Sequence, residues 1–113
     1  MSIHLLRERA TPQQAAEMLE ELGSYIKLAV DIRRSVAAGG GELHADCERV
    51  LLDDGSQQED IWGADWLPSS QKVTFEALIN LRPHQSNPSM TILDPSIRAK
   101  VESIVRSFLE GVP

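Results

Sequence analysis

Disulfide chemistry is the first thing this chain does without. Its 113 residues include one cysteine, Cys47, so no internal bridge can form and the core must close by apolar packing alone. Aromatic side chains are scarce as well, at 4% of the chain, and two of the five are tryptophan. No stretch approaches the ~20 consecutive apolar residues that cross a bilayer, and the N-terminal run to Arg9 has no apolar core of secretory-signal length. Positive charge is in deficit: 11 Lys and Arg against 17 Asp and Glu give a formal charge of −6. Binding to phosphates needs a basic footprint, which disfavours nucleic acid as the main partner, although five of the basic residues do fall between Lys72 and Arg106. There is no Gly-x-Ser-x-Gly elbow, phosphate loop or dinucleotide fingerprint. The triplet Gly39-Gly40-Gly41 lacks the lysine of a phosphate loop and reads as a turn. These absences leave a small soluble cytoplasmic protein, one domain over residues 1–113, with no expected cofactor and no membrane association.

What is present is a clear alternation of helical and strand periods. Thr11, Pro12 and Gln14 form an N-cap, a first-turn proline and the return half of a capping box, which predicts a helix over 12–22 closed by Gly23. Ile26, Leu28, Val30 and Ile32 then alternate with Lys27, Ala29, Asp31 and Arg33, the pattern of a half-buried strand over 24–34. Residues 35–39 either return as a short strand or make a helical turn. Leu43, Cys47, Val50 and Leu51 share one helical face, so a central helix runs over about 43–53, ending at Gly55. Residues 57–67 and 73–82 read as a hairpin of two strands turned at 68–71. A proline-stiffened polar loop follows over 82–89, with a short edge strand at 90–93. Asp94 and Pro95 open a final helix whose apolar stripe runs from Ile97 to Leu109, with Arg98–Glu102 and Glu102–Arg106 paired on its outer face. The order α-β-(β)-α-β-β-α predicts an α+β fold: an antiparallel sheet of about four strands with helices packed on one face.

A helix-free sheet face would carry Lys27, Asp31, Arg33, Thr74, Glu76, Asn80 and Arg82. Trp62 and Trp66, four apart on a strand, share a side and would add flat apolar area if theirs is the uncovered one. The loop polar groups Arg82, His84, Gln85, Asn87 and Ser89 could together donate to an anion or carboxylate. His44, at the start of the central helix, could do acid–base work with Asp31, Glu42, Asp46 or Asp60, provided the fold brings them close enough to perturb one another. His44 and Glu48 lie one helical turn apart, but no recognised zinc spacing accompanies them and no metal site is expected. Cys47 belongs to the apolar stripe and reads as core.

The runs Val30-Asp31-Ile32-Arg33, Gly39-Gly40-Gly41-Glu42-Leu43-His44-Ala45-Asp46, Ile61-Trp62-Gly63-Ala64 and Leu78-Ile79-Asn80-Leu81-Arg82-Pro83 resemble a small bacterial family of unknown function, well represented in cyanobacteria. The resemblance spans nearly the whole chain. It implies a stand-alone cytosolic protein and carries no catalytic residue across. The leading expectation is a small binding or interaction protein, self-associating as a homodimer, with a small molecule or protein partner. The alternative is a small hydrolase-like enzyme centred on His44.

Overall fold

Leu28 and Val30 point to one side of their strand and Ala29 to the other, and all three are fully buried. A strand sealed on both faces needs cover on both, and that decides the architecture. The computed structural model describes residues 3–113. Its sheet has five strands, β1 (His4–Leu6), β2 (Ile26–Asp31), β3 (Val36–Gly39), β4 (Ile61–Leu67) and β5 (Lys72–Thr74), in the order β1-β3-β2-β4-β5. Every neighbouring pair is antiparallel. Three α-helices accompany the sheet among the described residues: α1 (Pro12–Leu19), α2 (His44–Asp53) and α3 (Pro95–Leu109). The α+β class and the antiparallel sheet are as the sequence predicts. The return strand is β3, and β1 is a strand that the short apolar lead at residues 3–6 did not announce.

The helices do not share a face. Leu28, Val30, Trp62, Ala64 and Trp66 cluster with Met18 of α1 and with Val101, Val105, Phe108 and Leu109 of α3. Ala29, Val36, Ala38 and Ile61 cluster with Cys47 and Leu51 of α2 on the opposite face. The expected helix-free face therefore does not exist. The reason lies in Ala29, Ala38 and Gly63, small residues that read as weak strand formers but let α2 and its neighbours settle close to the sheet.

Residues 73–82 do not continue as a strand. Strand β5 stops at Thr74, Leu78–Asn80 forms a 3₁₀ turn, and a second such turn covers Pro83–Gln85. The edge strand expected at 90–93 is reduced to an isolated bridge between Glu76 and Thr91. Alternating apolar residues suggested a period of two here, but the demand of one polar side chain overrides it. Asn80 is fully buried and turns inward onto β4. Its Oδ1 accepts from the Gly63 N–H at 2.8 Å, and its Nδ2 donates to the carbonyls of Gly63, Phe75 and Met90. One amide group thus stands where the next strand would have paired with β4.

Close approach at Gly63 is what admits this segment. A Cβ on Gly63 would lie 2.5 Å from the Cβ of Ala77, an atom fixed to its own backbone. Gly63→Ala should therefore push residues 75–82 away from the sheet and cost about 1–3 kcal/mol. A lower urea midpoint with an unchanged slope would show it, and an unchanged midpoint would mean the segment yields freely.

The helix caps follow the sequence. Thr11 and Gln14 make a reciprocal capping box, and the Asp94 side chain accepts from the Ser96 N–H. Helix α1 ends at Leu19, short of the expected 22. On α3, Glu102 pairs with Arg106 at 2.8 Å, while Arg98 turns away from Glu102 to lie 4.3 Å over the Phe75 ring.

Candidate functional site

Helix α2 begins where it does because of the glycines before it. Gly40 takes a φ of +104°, closed to most side chains, and its N–H donates to the Lys27 carbonyl at 3.1 Å. A Cβ on Gly41 would meet the Cys47 Sγ at 3.1 Å, so this position is packed directly under the helix. Together they set the first turn of α2 down on the strands, with Leu43 at the N-cap and His44 as the first helical residue. Beneath it runs a polar row across three strands. Lys27 of β2 faces Asp65 of β4, and Asp65 faces Thr74 of β5.

The His44 Nε2 lies 2.8 Å from Asp65 Oδ1 and 3.1 Å from the Ala64 carbonyl oxygen. Asp65 Oδ2 accepts from the Thr74 hydroxyl at 3.3 Å. A carbonyl and a carboxylate are both acceptors, so Nε2 must carry the proton. In the neutral ring Nδ1 then holds the lone pair. The His44 side chain is 10% exposed and that of Asp65 15%, so the pair is shielded from bulk water.

A cavity of about 230 Å³ opens beside it, lined by Lys27, Leu43, His44, Ala45, Leu78 and Ile79. The Lys27 ammonium donates to the Glu42 carbonyl at 3.0 Å, using one of its three N–H groups. The mouth is apolar. Leu78 is 71% exposed and Leu43 54%, the two highest values for large hydrophobic side chains among the described residues.

The other acid–base candidates lie elsewhere. Asp31 pairs in register with Ile61, four residues along the ladder from Lys27 and Asp65, a separation of roughly 13 Å. It is buried, and its Oδ1 accepts the N–H groups of Arg33 and Arg34 to shape the β2–β3 turn. Asp60 precedes β4 at that same far end, its carbonyl accepting from the Ile32 N–H. Asp46 is in the first turn of α2, but the carboxylate that meets the His44 ring belongs to Asp65. Glu48 turns toward Arg82, 3.7 Å away, so it does not converge with His44 on a common ion. Burial pushes the Cys47 thiol up to about 11, which removes it as a nucleophile at neutral pH.

The expected binding residues are mostly structural. Trp62 and Trp66 do share a face, but it is the one under α1 and α3, and both are buried. Asn80 and Arg82 are buried too, and they bond to backbone carbonyls. His84 sits in the exposed 3₁₀ turn Pro83–Gln85, away from the cavity lining.

Asp65 and the exposed pair Leu43 and Leu78 are what sequence reasoning missed. Asp65 did carry a signal: it is a carboxylate between Ala64 and Trp66 on an apolar strand, where burial demands a partner. Leu78 gave none, because within a presumed strand it was simply one more alternating residue.

No helix among the described residues is long and apolar enough to cross a membrane. The chain matches no curated protein and no solved structure. Residues 4–108 match a family model described as a protein of unknown function, DUF5674.

Proposed function

We propose that this chain, which belongs to the DUF5674 family of proteins of unknown function, is a binding protein whose ligand enters the cavity beside His44. One observation carries the reading: the two most exposed leucines line the same cavity as Lys27 and as His44, whose ring is held by the shielded Asp65 behind it. Exposed leucines scattered singly need no explanation, but two at one opening form an apolar rim around a polar centre, the composition of a ligand site. At about 230 Å³ the cavity is smaller than those that take drug-sized ligands, so a small molecule or one apolar side chain of a partner fits it.

Self-association as a homodimer is part of this proposal and draws on the same rim, since the sheet face first expected to serve is covered by α2. A reducing, cytoplasmic setting is part of it too, in keeping with a lone cysteine held buried as a free thiol.

The dye 8-anilinonaphthalene-1-sulfonate, too large to enter whole, tests the apolar rim and mouth of the site. Its emission should rise with the folded protein, and amide shifts should gather at Lys27, Ala45 and Ile79. Leu78→Ser and Ala45→Trp alter exposed positions at the cavity, so their melting temperatures should hold while dye affinity falls about tenfold, the loss expected for roughly 1.4 kcal/mol of apolar contact. Equal affinity in wild type and both variants would overturn the assignment.

A further inference from the structure

We propose that this cavity is also catalytic, with His44 as the general base for hydrolysis of a small ester bearing an apolar acyl group. The inference rests on the binding reading above and adds a reaction to it. A histidine that merely tied α2 to the sheet would need only its Nε2 contacts. Here those contacts fix the tautomer and leave the basic Nδ1 on a ring that lines a cavity. Asp65 holds the ring and would balance the charge when the imidazole takes a proton, and the Thr74 hydroxyl in turn holds Asp65. This is the arrangement of a base with its orienting carboxylate.

The nucleophile follows from what lines the cavity. Among the described residues no serine, threonine or cysteine side chain does so, and Cys47 lies in the α2 core with its thiol pushed up to about 11. Water is therefore the attacking group. Its oxygen adds to the ester carbonyl carbon as its proton passes to His44 Nδ1, and the carbonyl π pair moves to oxygen. The Lys27 ammonium is the charged donor available to that oxyanion. Collapse re-forms the carbonyl, breaks the bond to the alcohol oxygen, and returns the Nδ1 proton to the departing alkoxide. Ester and water become carboxylic acid and alcohol, with no cofactor and no change of oxidation state. The walls formed by Leu43, Ala45, Leu78 and Ile79 select the substrate: they suit a short apolar acyl chain and offer nothing to a polar one.

The test uses p-nitrophenyl butyrate as substrate and its unreactive analogue 4-nitrophenyl butyl ether as a binding probe. Turnover should exceed that of an equal concentration of free imidazole. His44→Asn should lower kcat/KM about a hundredfold or more, whereas His4→Gln, which alters a histidine paired with Glu17 on β1, should not. Asp65→Asn should lower kcat with KM nearly unchanged, because Asp65 positions the base and does not touch the ester. Ala45→Trp guards against misfolding of the His44 variant: it fills the cavity from an exposed position and should abolish turnover with the melting temperature intact. Wild-type turnover no faster than imidazole, or full activity in His44→Asn, would overturn the proposal. If the ether shifts the Ala45 and Ile79 amides but the ester is not turned over, hydrolysis falls and binding stands. If neither happens, both fall.

Discussion

Arg82→Met is expected to lower the free energy of unfolding by about 3–5 kcal/mol, close to the limit for a single substitution in a small protein. The side chain is buried, lies 4.7 Å over the Trp62 ring, and donates to the carbonyls of Ile79, Gln58 and Ile61. It also faces the Glu48 carboxylate at 3.7 Å, beyond hydrogen-bond range, with Glu48 Oε2 left unbonded. Burial pushes the Glu48 carboxyl above its ordinary value even with Arg82 beside it, and burial pulls the Arg82 guanidinium down despite the carboxylate. Both directions say that loss of hydration outweighs the mutual attraction. The ion pair is therefore not the source of stability; the three carbonyl contacts and the ring stacking are.

Methionine restores apolar volume but strips the Arg82 donor from the Ile79 and Ile61 carbonyls, leaves the Gln58 carbonyl with the Ile61 N–H alone, and leaves Glu48 without a counter-charge. That gives the loss a pH signature. A carboxyl whose folded pKa is raised favours the fold while protonated, and that advantage disappears as pH rises through the folded value. With Arg82 removed the Glu48 pKa rises further, so the variant's deficit should shrink below the ordinary glutamate range and be largest near neutrality. Urea unfolding at acid and neutral pH checks this, and a deficit that is small and constant with pH would place the value of Arg82 elsewhere.

Asn80→Leu is expected to cost about 3 kcal/mol or more. Leucine keeps the branched shape of asparagine, so no cavity forms; its bulkier methyls add some overpacking to a loss that is mainly polar. The Gly63 N–H and carbonyl would lose the Asn80 amide inside a fully buried site, at roughly 1–3 kcal/mol for each group left unpaired and not rescued by water, while the Phe75 and Met90 carbonyls would keep only the Ile92 and Ala77 N–H groups. Asn80→Asp should be worse, since a carboxylate would face three carbonyl oxygens. The local readout is hydrogen exchange at the Gly63 amide, which should speed up by more than the global loss of stability accounts for. Exchange that follows global stability alone would mean Asn80 acts through packing.

These two residues show where sequence reading held and where it stopped. The caps at Thr11 and Asp94, the strand at 26–31 and the helices each rest on contacts within a few residues, so their signals are local and legible. The 75–93 segment is ordered by long-range polar contacts from Asn80 and Arg82, and also from Asn87, whose amide donates to the Asn80, Ser89 and Thr91 carbonyls. A side chain that satisfies distant backbone leaves no period in the sequence, and the alternation from Val73 to Leu81 concealed it. The candidate site was half legible for the same reason. His44 drew notice as a lone imidazole at a helix start, but its partner Asp65 comes from register: the residue opposite Lys27 on a strand whose pairing the sequence does not state. The two-sided cover of the sheet was hidden by Ala29, Ala38 and Gly63, whose smallness says that something comes close without saying what.

The outermost strands β1 and β5 have three residues each. The fold thereby guards against aggregation, because an edge this short offers an incoming chain too few backbone groups to nucleate a growing cross-β stack. The longer edge of β4 that β5 leaves uncovered is already occupied by the Asn80 amide at Gly63. Ladder extension, which can propagate without limit, is thus blocked at both edges, and the homodimer proposed above would have to form through side-chain surfaces, which close on themselves.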